Sequence, residues 1–251
     1  MYFDGVLPND DPMQGYKHWS LHYRVSNDGG RTFAVDEQVV QQGDYTREHP
    51  AEGVWVGKNA MMIGATSARP IRTSGGSFLA PIQIFVLGPD GRYWKPGGGY
   101  TYQDAAVLIG RWTDGMKIEW ELSEHVVGDP KKTTRGMIEP TVAEMPDRRI
   151  LMCCRGSNDV KPQLPGYKWY SVSEDGGRTW SNPPKPWTYA DGTTFFSPSS
   201  CSQLIRHSNG KIYWIGNISP ENPRGNEPRY PLVIGQVDPS SMSLKKETVS
   251  V

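Results

Sequence analysis

Apolar positions along the chain come in short runs, continuous or alternating with polar residues, and Gly, Asp, Asn or Pro closes each run. Examples are HWSLHYRVS (18–26), GVWVGKNAMMIGA (53–65), SFLAPIQIFVLG (77–88) and AAVLIGRW (105–112). Further along come RILMCCRG (149–156), YKWYSVS (167–173), KIYWIGN (211–217) and YPLVIGQVD (230–238). No segment keeps a helical apolar period over about twelve residues, so strands with turns between them, an all-β chain, are what the pattern predicts. Hairpin turns are expected at Asp90-Gly91, Asn209-Gly210 and the degenerate Asp147-Arg148.

One of the turn segments is repeated. Ser26-Asn27-Asp28-Gly29-Gly30-Arg31-Thr32-Phe33 and Ser173-Glu174-Asp175-Gly176-Gly177-Arg178-Thr179-Trp180 are the same octapeptide, S-x-D-G-G-R-T-[FW], begun 147 residues apart. A weaker copy, Thr113-Asp114-Gly115 with Trp120, falls between them. Read as three periods of about 49 residues, this spacing matches a β-propeller, whose blades of about four strands recur every 40–50 residues or so. At that size the chain holds about five four-stranded blades. A carboxylate such as Asp28 is expected to accept backbone N–H groups across its own turn. Gly29-Gly30 supplies left-handed backbone there, and Phe33 or Trp180 then packs between sheets. The octapeptides therefore point to fold rather than chemistry, and too few oxygen ligands surround them for an EF-hand.

Composition narrows the classes. Lys+Arg and Asp+Glu are both 27, for a formal net charge of zero, which disfavours a partner held by bulk positive charge such as nucleic acid. No apolar stretch is long enough for a transmembrane helix, so no membrane partner is expected. The opening MYFDGVLPNDDP carries no apolar h-region and hence no signal peptide. Twenty-seven aromatic residues suit a β-rich core or a sugar-binding surface. Cys153, Cys154 and Cys201 form no CxxC pair and read as buried thiols on strands, and the histidines show no metal-ligand spacing, so neither a metal nor another cofactor is expected. KPGGGYT (95–101) lacks the ending of a phosphate loop, and Ser199-Ser200-Cys201-Ser202 lacks a nucleophile elbow. WTYADGTTFF (187–196) reads as packing between sheets or as a sugar-stacking loop.

The octapeptide resembles the Asp-box of the sialidase (neuraminidase) superfamily, whose members are six-bladed propellers. Ile138-Glu139-Pro140-Thr141-Val142-Ala143-Glu144-Met145 followed by Arg149-Ile150-Leu151-Met152-Cys153-Cys154-Arg155 resembles the sialidase pattern E-P-x-v-x-e-l, turn, r-l-l-m-x-x-R. Ser77-Phe78-Leu79-Ala80-Pro81 resembles the strand before it, and Pro228-Arg229-Tyr230-Pro231-Leu232-Val233-Ile234 the strand carrying a later active-site arginine. The resemblance spans nearly the whole chain, in the family's order. It implies one sialidase-type propeller domain over residues 1–251, incomplete at both ends, with about five of six blades present.

The implied activity is removal of terminal sialic acid, or a related acidic sugar, from sialylated or other acidic glycans. Guanidinium forks suit the sugar carboxylate because they bind it bidentately and keep their charge. Arg155 and Arg229 match two of the family's three arginines. Glu139 matches the base that takes the proton of a tyrosine nucleophile, an exception among glycosidases. Asp11 or Asp10 stands where the family places its acid. Arg135 shares strand parity with Met137 and Glu139 and is a further substrate-binding candidate. The chain departs from the family in that the first arginine and the nucleophilic tyrosine have no counterpart; Tyr230, beside Arg229, would point to the opposite face of its strand. The resemblance thus implies an internal piece of a longer chain of secreted or periplasmic bacterial type. A non-catalytic propeller that binds acidic glycans and a propeller polysaccharide lyase are the alternatives.

Overall fold

A computed structural model of the chain describes residues 1–4, 16–64 and 69–251. They are all-β: apart from two short 3-10 turns at Tyr16–His18 and Lys246–Thr248, every regular element among them is a strand. The strands follow one another as four antiparallel sheets in chain order. The first is β1 (Tyr2–Asp4), β2 (Ser20–Val25) and β3 (Val35–Gln38), paired in that order. The second contains β4 (Met61–Ile63), β5 (Ile71–Arg72), β6 (Phe78–Phe85), β7 (Gln103–Trp112) and β8 (Ile118–Leu122), in the order β4-β6-β7-β8 with β5 added on β6. The third is β9 (Ile138–Glu144), β10 (Ile150–Arg155), β11 (Lys168–Ser173) and β12 (Lys185–Pro186). The fourth is β13 (Gln203–Arg206), β14 (Ile212–Asn217), β15 (Leu232–Asp238) and β16 (Ser243–Leu244).

The continuous apolar runs are explained by sheets packed face to face on both sides. Side chains alternate across a strand, so a strand buried on both faces has no polar alternation. On β10, Leu151 and Cys153 face the fourth sheet with Trp187, Leu204 and Trp214, whereas Ile150, Met152 and Cys154 face the second with Val107 and Ile109. On β7, Ala106 and Leu108 turn the other way, toward Leu21, Tyr23 and Val25 of the first sheet. Three apolar layers thus separate four sheets.

The expected hairpins form. Arg148, at φ 71°, turns β9 into β10; Gly210, at φ +81°, turns β13 into β14; and Gly91 closes the Leu87–Tyr93 hairpin beyond β6. The octapeptide turns join β2 to β3 and β11 to β12, and their bonding is the same in both. Asp28 Oδ1 accepts from Arg31 N, Thr32 N and the Ser26 hydroxyl, and Oδ2 accepts from the Thr32 hydroxyl at 2.7 Å. Asp175 repeats this with Arg178, Thr179 and Ser173.

Three expectations need correction. The 147-residue spacing links the first sheet to the third, two steps and not three, so the described residues form four sheets where a 49-residue period gives about five. The steps are lengthened by long connections, such as residues 39–60 and 156–167. Trp180 is buried between the second and third sheets, but Phe33 is 49% exposed and meets the Arg24 guanidinium instead. Cys153 and Cys154 are buried on β10, whereas Cys201 is exposed and lies outside the strands.

Candidate functional site

The β9–β10 hairpin brings together two residues 16 apart in sequence. Its register sets Arg155, the last residue of β10, against Ile138, the first of β9, so Glu139 lies beside it. A register shift between Cys153 and Arg155 bulges the strand there, a device that re-aims a side chain. Glu139 is held in the left-handed region at φ 48°, costly for a residue with a side chain. Two neighbours hold it there. Its N–H donates to Gln83 Oε1 of β6 at 2.7 Å, and Gly64 abuts it so closely that a Cβ at 64 would sit 2.6 Å from the Glu139 Cα.

The Arg155 guanidinium is almost fully buried and has a separate partner for each nitrogen. Nη1 donates to Glu139 Oε1 at 2.6 Å, Nε to the Ser199 hydroxyl at 2.9 Å and Nη2 to Asn226 Oδ1 at 3.1 Å. The second carboxylate oxygen, Glu139 Oε2, has no hydrogen-bond partner among the described residues. Arg229 Nη2 donates to the carbonyl of the same Ser199 at 3.4 Å. Arg155 and Arg229 therefore meet on one serine. Arg229 precedes β15 and is not itself on a strand; its backbone is fixed by Asn217, whose amide donates to the carbonyls of Arg229 and Pro231. Tyr230, likewise off the strand, is 73% exposed.

Arg135 also lies before its strand, and Gly136 at φ +72° breaks the parity that would have run from Arg135 to Glu139. It reaches the neighbourhood differently. Nε and Nη2 both donate to the Thr101 hydroxyl, and the Tyr100 ring lies 4.0 Å from the guanidinium carbon. The KPGGGYT loop is its bed: a Cβ at Gly99 would meet Arg135 Cγ at 2.6 Å. Burial is the largest influence on the Arg135 pKa and lowers it, and the charge of Arg155 acts in the same sense. Glu139 and Asp159 oppose, so all four groups share one field. Asp159 accepts from the Thr134 hydroxyl. With the buried Lys168 included, three cations face two carboxylates, leaving a surplus of positive charge.

Asp10 and Asp11 lie outside the described residues. The aromatic segment 187–196 proves to be packing, since Trp187 and Phe195 are buried against Trp214. Ser199, Asn226 and Gln83 were not legible as site residues; only the Ser-Ser-Cys-Ser run marked the first, and it had no motif to recommend it. Among the described residues no group of three or more His, Cys, Asp or Glu side chains is arranged to hold a metal ion, and no helix is long and apolar enough to cross a membrane.

A family model described as a BNR repeat-like domain matches residues 10–247. The chain belongs to this family. The BNR repeat-like chain shares its fold with solved sialidases. The Hadza microbial sialidase Hz136 superposes with a TM-score of 0.53 at 17% identity, over 94% of this chain and 37% of that one. A leech intramolecular trans-sialidase, complexed with 2,7-anhydro-Neu5Ac, superposes with a TM-score of 0.51 at 18% identity, over 92% and 28%. A protein of unknown function from Dyadobacter fermentans gives 0.53 at 13% identity, over 95% and 56%. The BNR repeat-like chain thus spans between about a quarter and about a half of the length of these structures. No curated protein matches it.

Proposed function

We propose that this protein is a sialidase-type exo-glycosidase acting on terminal sialic acid or a related acidic sugar. In this reading the four sheets are blades of a β-propeller and the residues around Ser199 are its carboxylate-binding site. The observation that carries it is the meeting of Arg155 and Arg229 on Ser199, with Glu139 on the same guanidinium. A carboxylate fixed on the anomeric carbon needs a rigid, permanently charged fork, and Arg155 is held by three directed hydrogen bonds before any ligand arrives. Glu139 meets this guanidinium through Oε1, which leaves Oε2 available to take a proton from a tyrosine nucleophile. Arg135 lines the approach. Asp10 or Asp11 would serve as the acid.

A second reading, an acidic-glycan-binding module, is favoured by one observation: among the described residues Glu139 bonds Arg155 and Gln83 but no tyrosine hydroxyl. Two assays separate the readings. Calorimetric titration of the full protein with N-acetylneuraminic acid and with its methyl ester tests the arginines, since the ester removes the charge. The free acid should bind at least about tenfold more tightly, and equal affinities would dismiss both readings. Turnover of a fluorogenic sialoside, abolished by Glu139→Gln with binding retained, supports the enzyme; binding without turnover supports the module.

A further inference from the structure

The least expected group near the site is an ammonium with no access to water. Lys168 opens β11 directly opposite Arg155, a pairing of like charges that is ordinarily unfavourable. Its side chain is 1% exposed. A buried charge is expensive, and an apolar side chain of the same length would avoid that cost. Nζ donates to two carbonyls, that of Pro198 at 3.1 Å and that of Ser200 at 2.5 Å. Between them stands Ser199, whose hydroxyl receives Arg155 and whose carbonyl receives Arg229. The ammonium therefore grips the chain on both sides of the one residue that both arginines touch.

We infer that Lys168 is a positioning residue for the acidic-sugar site, a buried clamp that fixes residues 198–200 so that Ser199 orders the guanidinium groups of Arg155 and Arg229. This rests on the functional reading above only for the identity of the ligand; the clamp itself is a matter of geometry. Apart from the arginines, the hydrogen bonds left on this buried segment are few: Ser199 N donates to Gly225 O, and Ser200 N and its hydroxyl to Pro198 O. Removing the ammonium leaves two buried carbonyls without their charged donor, a loss larger than that of a neutral hydrogen bond.

The clamp is also sensitive to pH. Burial, the dominant cause, lowers the Lys168 pKa from 10.5 to about 8. Arg155 on β10 pushes the same way; Cys153 on β10, Glu139 on β9 and Cys201 in the gripped segment oppose. The sign separates this role from plain structural support. Between about 8 and 10.5 the unfolded chain holds the proton more tightly than the folded one, so global stability gains from this group as pH rises. The clamp weakens over the same rise, because the charged donor is lost. A residue that merely supported the fold would move stability and ligand affinity together; this one moves them in opposite directions.

Two measurements test it. In hydrogen-exchange mass spectrometry on the full protein, Lys168→Met should lower protection of residues 196–202 by roughly tenfold or more, while β6 and β7 keep theirs. Unchanged protection would overturn the clamp. If Lys168→Met does not fold, the wild type compared below and above about pH 8, corrected for intrinsic exchange, gives the same contrast, and equal corrected protection counts against it. The second measurement is the affinity for N-acetylneuraminic acid in a Cys201→Ser background, which removes the exposed thiol from the gripped segment. Affinity should fall by roughly tenfold as pH rises through about 8, with the melting temperature not falling alongside. A flat profile, or affinity and melting temperature falling together, would overturn the positioning role. Absence of binding at every pH, combined with lost protection in Lys168→Met, would dismiss the acidic-sugar reading and support the clamp.

Discussion

Gly64→Ala is a one-methyl change at a position that touches no ligand in any reading of the site, yet it should damage that site. The methyl carbon would lie 2.6 Å from Glu139 Cα, 2.9 Å from Pro140 Cδ and 3.1 Å from the Glu139 carbonyl carbon. Two of these atoms are backbone and the third is in a proline ring, so no flexible side chain can swing aside. Restoring ordinary contact requires Gly64 and the start of β9 to part by about 0.8 Å, in an interior packed too densely to absorb it silently. Overpacking of this kind costs about 1–3 kcal/mol. For a domain of this size that is roughly 2–4 °C of melting temperature per kcal/mol.

The same displacement falls on a residue already strained at φ 48° and bonded to Arg155 at 2.6 Å, so the ion pair lengthens or Glu139 leaves its left-handed conformation. Misplacement of about an ångström can cost up to two orders of magnitude in turnover, and affinity for an acidic sugar should fall with the loss of an ordered Arg155. The matched control is Gly115→Ala, where the added carbon meets nothing within 4 Å and φ is unstrained. Its stability should stay within about 0.5 kcal/mol of wild type. Thermal unfolding and titration with N-acetylneuraminic acid on both variants decide the matter. If Gly64→Ala matches Gly115→Ala in both measurements, the claim that Gly64 holds Glu139 in place is wrong.

Other expectations follow from the turns and the thiols. Hydrogen bonds from the Thr32 hydroxyl, the Thr32 N–H and the Ser26 hydroxyl depress the Asp28 pKa from 3.8 to about 2, so its contribution to stability is complete above 3.8 and lost as pH falls through about 2. Asp28→Asn should therefore be less stable than wild type near neutrality and converge with it toward pH 2; a constant gap in acid unfolding curves would contradict this. Trp180→Ala should cost about 3–5 kcal/mol by denaturant titration, and Phe33→Ala under about 1, because only the first empties a packed site. A thiol reagent should modify the native protein at Cys201 alone and all three cysteines after unfolding, since burial raises the Cys153 pKa to about 11 and that of Cys154 upward as well. Modification of a second thiol under native conditions would dispute the burial.

What the sequence made legible was whatever depends on local pattern. Runs such as AAVLI and ILMCC announced strands, and the octapeptide announced its turn and the backbone N–H groups that its carboxylate accepts. The period was misread because the weak copy at Thr113 was the true intermediate, and the long connections around it destroy a constant spacing. In the candidate site, Glu139 and Arg155 were named by the resemblance, and a single hairpin brings them together. Ser199, Asn226 and Lys168 were not, because their relation to Arg155 is set by the packing of the third sheet against the fourth, and short polar residues in a loop leave no periodicity to read. The parity argument for Arg135 failed at Gly136, where a positive φ ends the alternation that parity presupposes.

Net charge misleads at this scale in an instructive way. A chain with equal numbers of acidic and basic residues has no bulk attraction for an anion, yet Arg135, Arg155 and Lys168 gather around Glu139 and Asp159, with the exposed Arg229 joined to them through Ser199. Burial of the first three keeps their charge from being screened as surface charges are. Much of the positive charge is tied down: Arg155 by Glu139, Ser199 and Asn226, Arg135 by Thr101 and Tyr100, Lys168 by two carbonyls. Guanidinium groups so held lose little freedom when a ligand arrives, so more of the interaction appears as affinity. Under the proposed function, arginines that converge on one serine rather than running along a groove suit a single carboxylate better than a flexible polyanion.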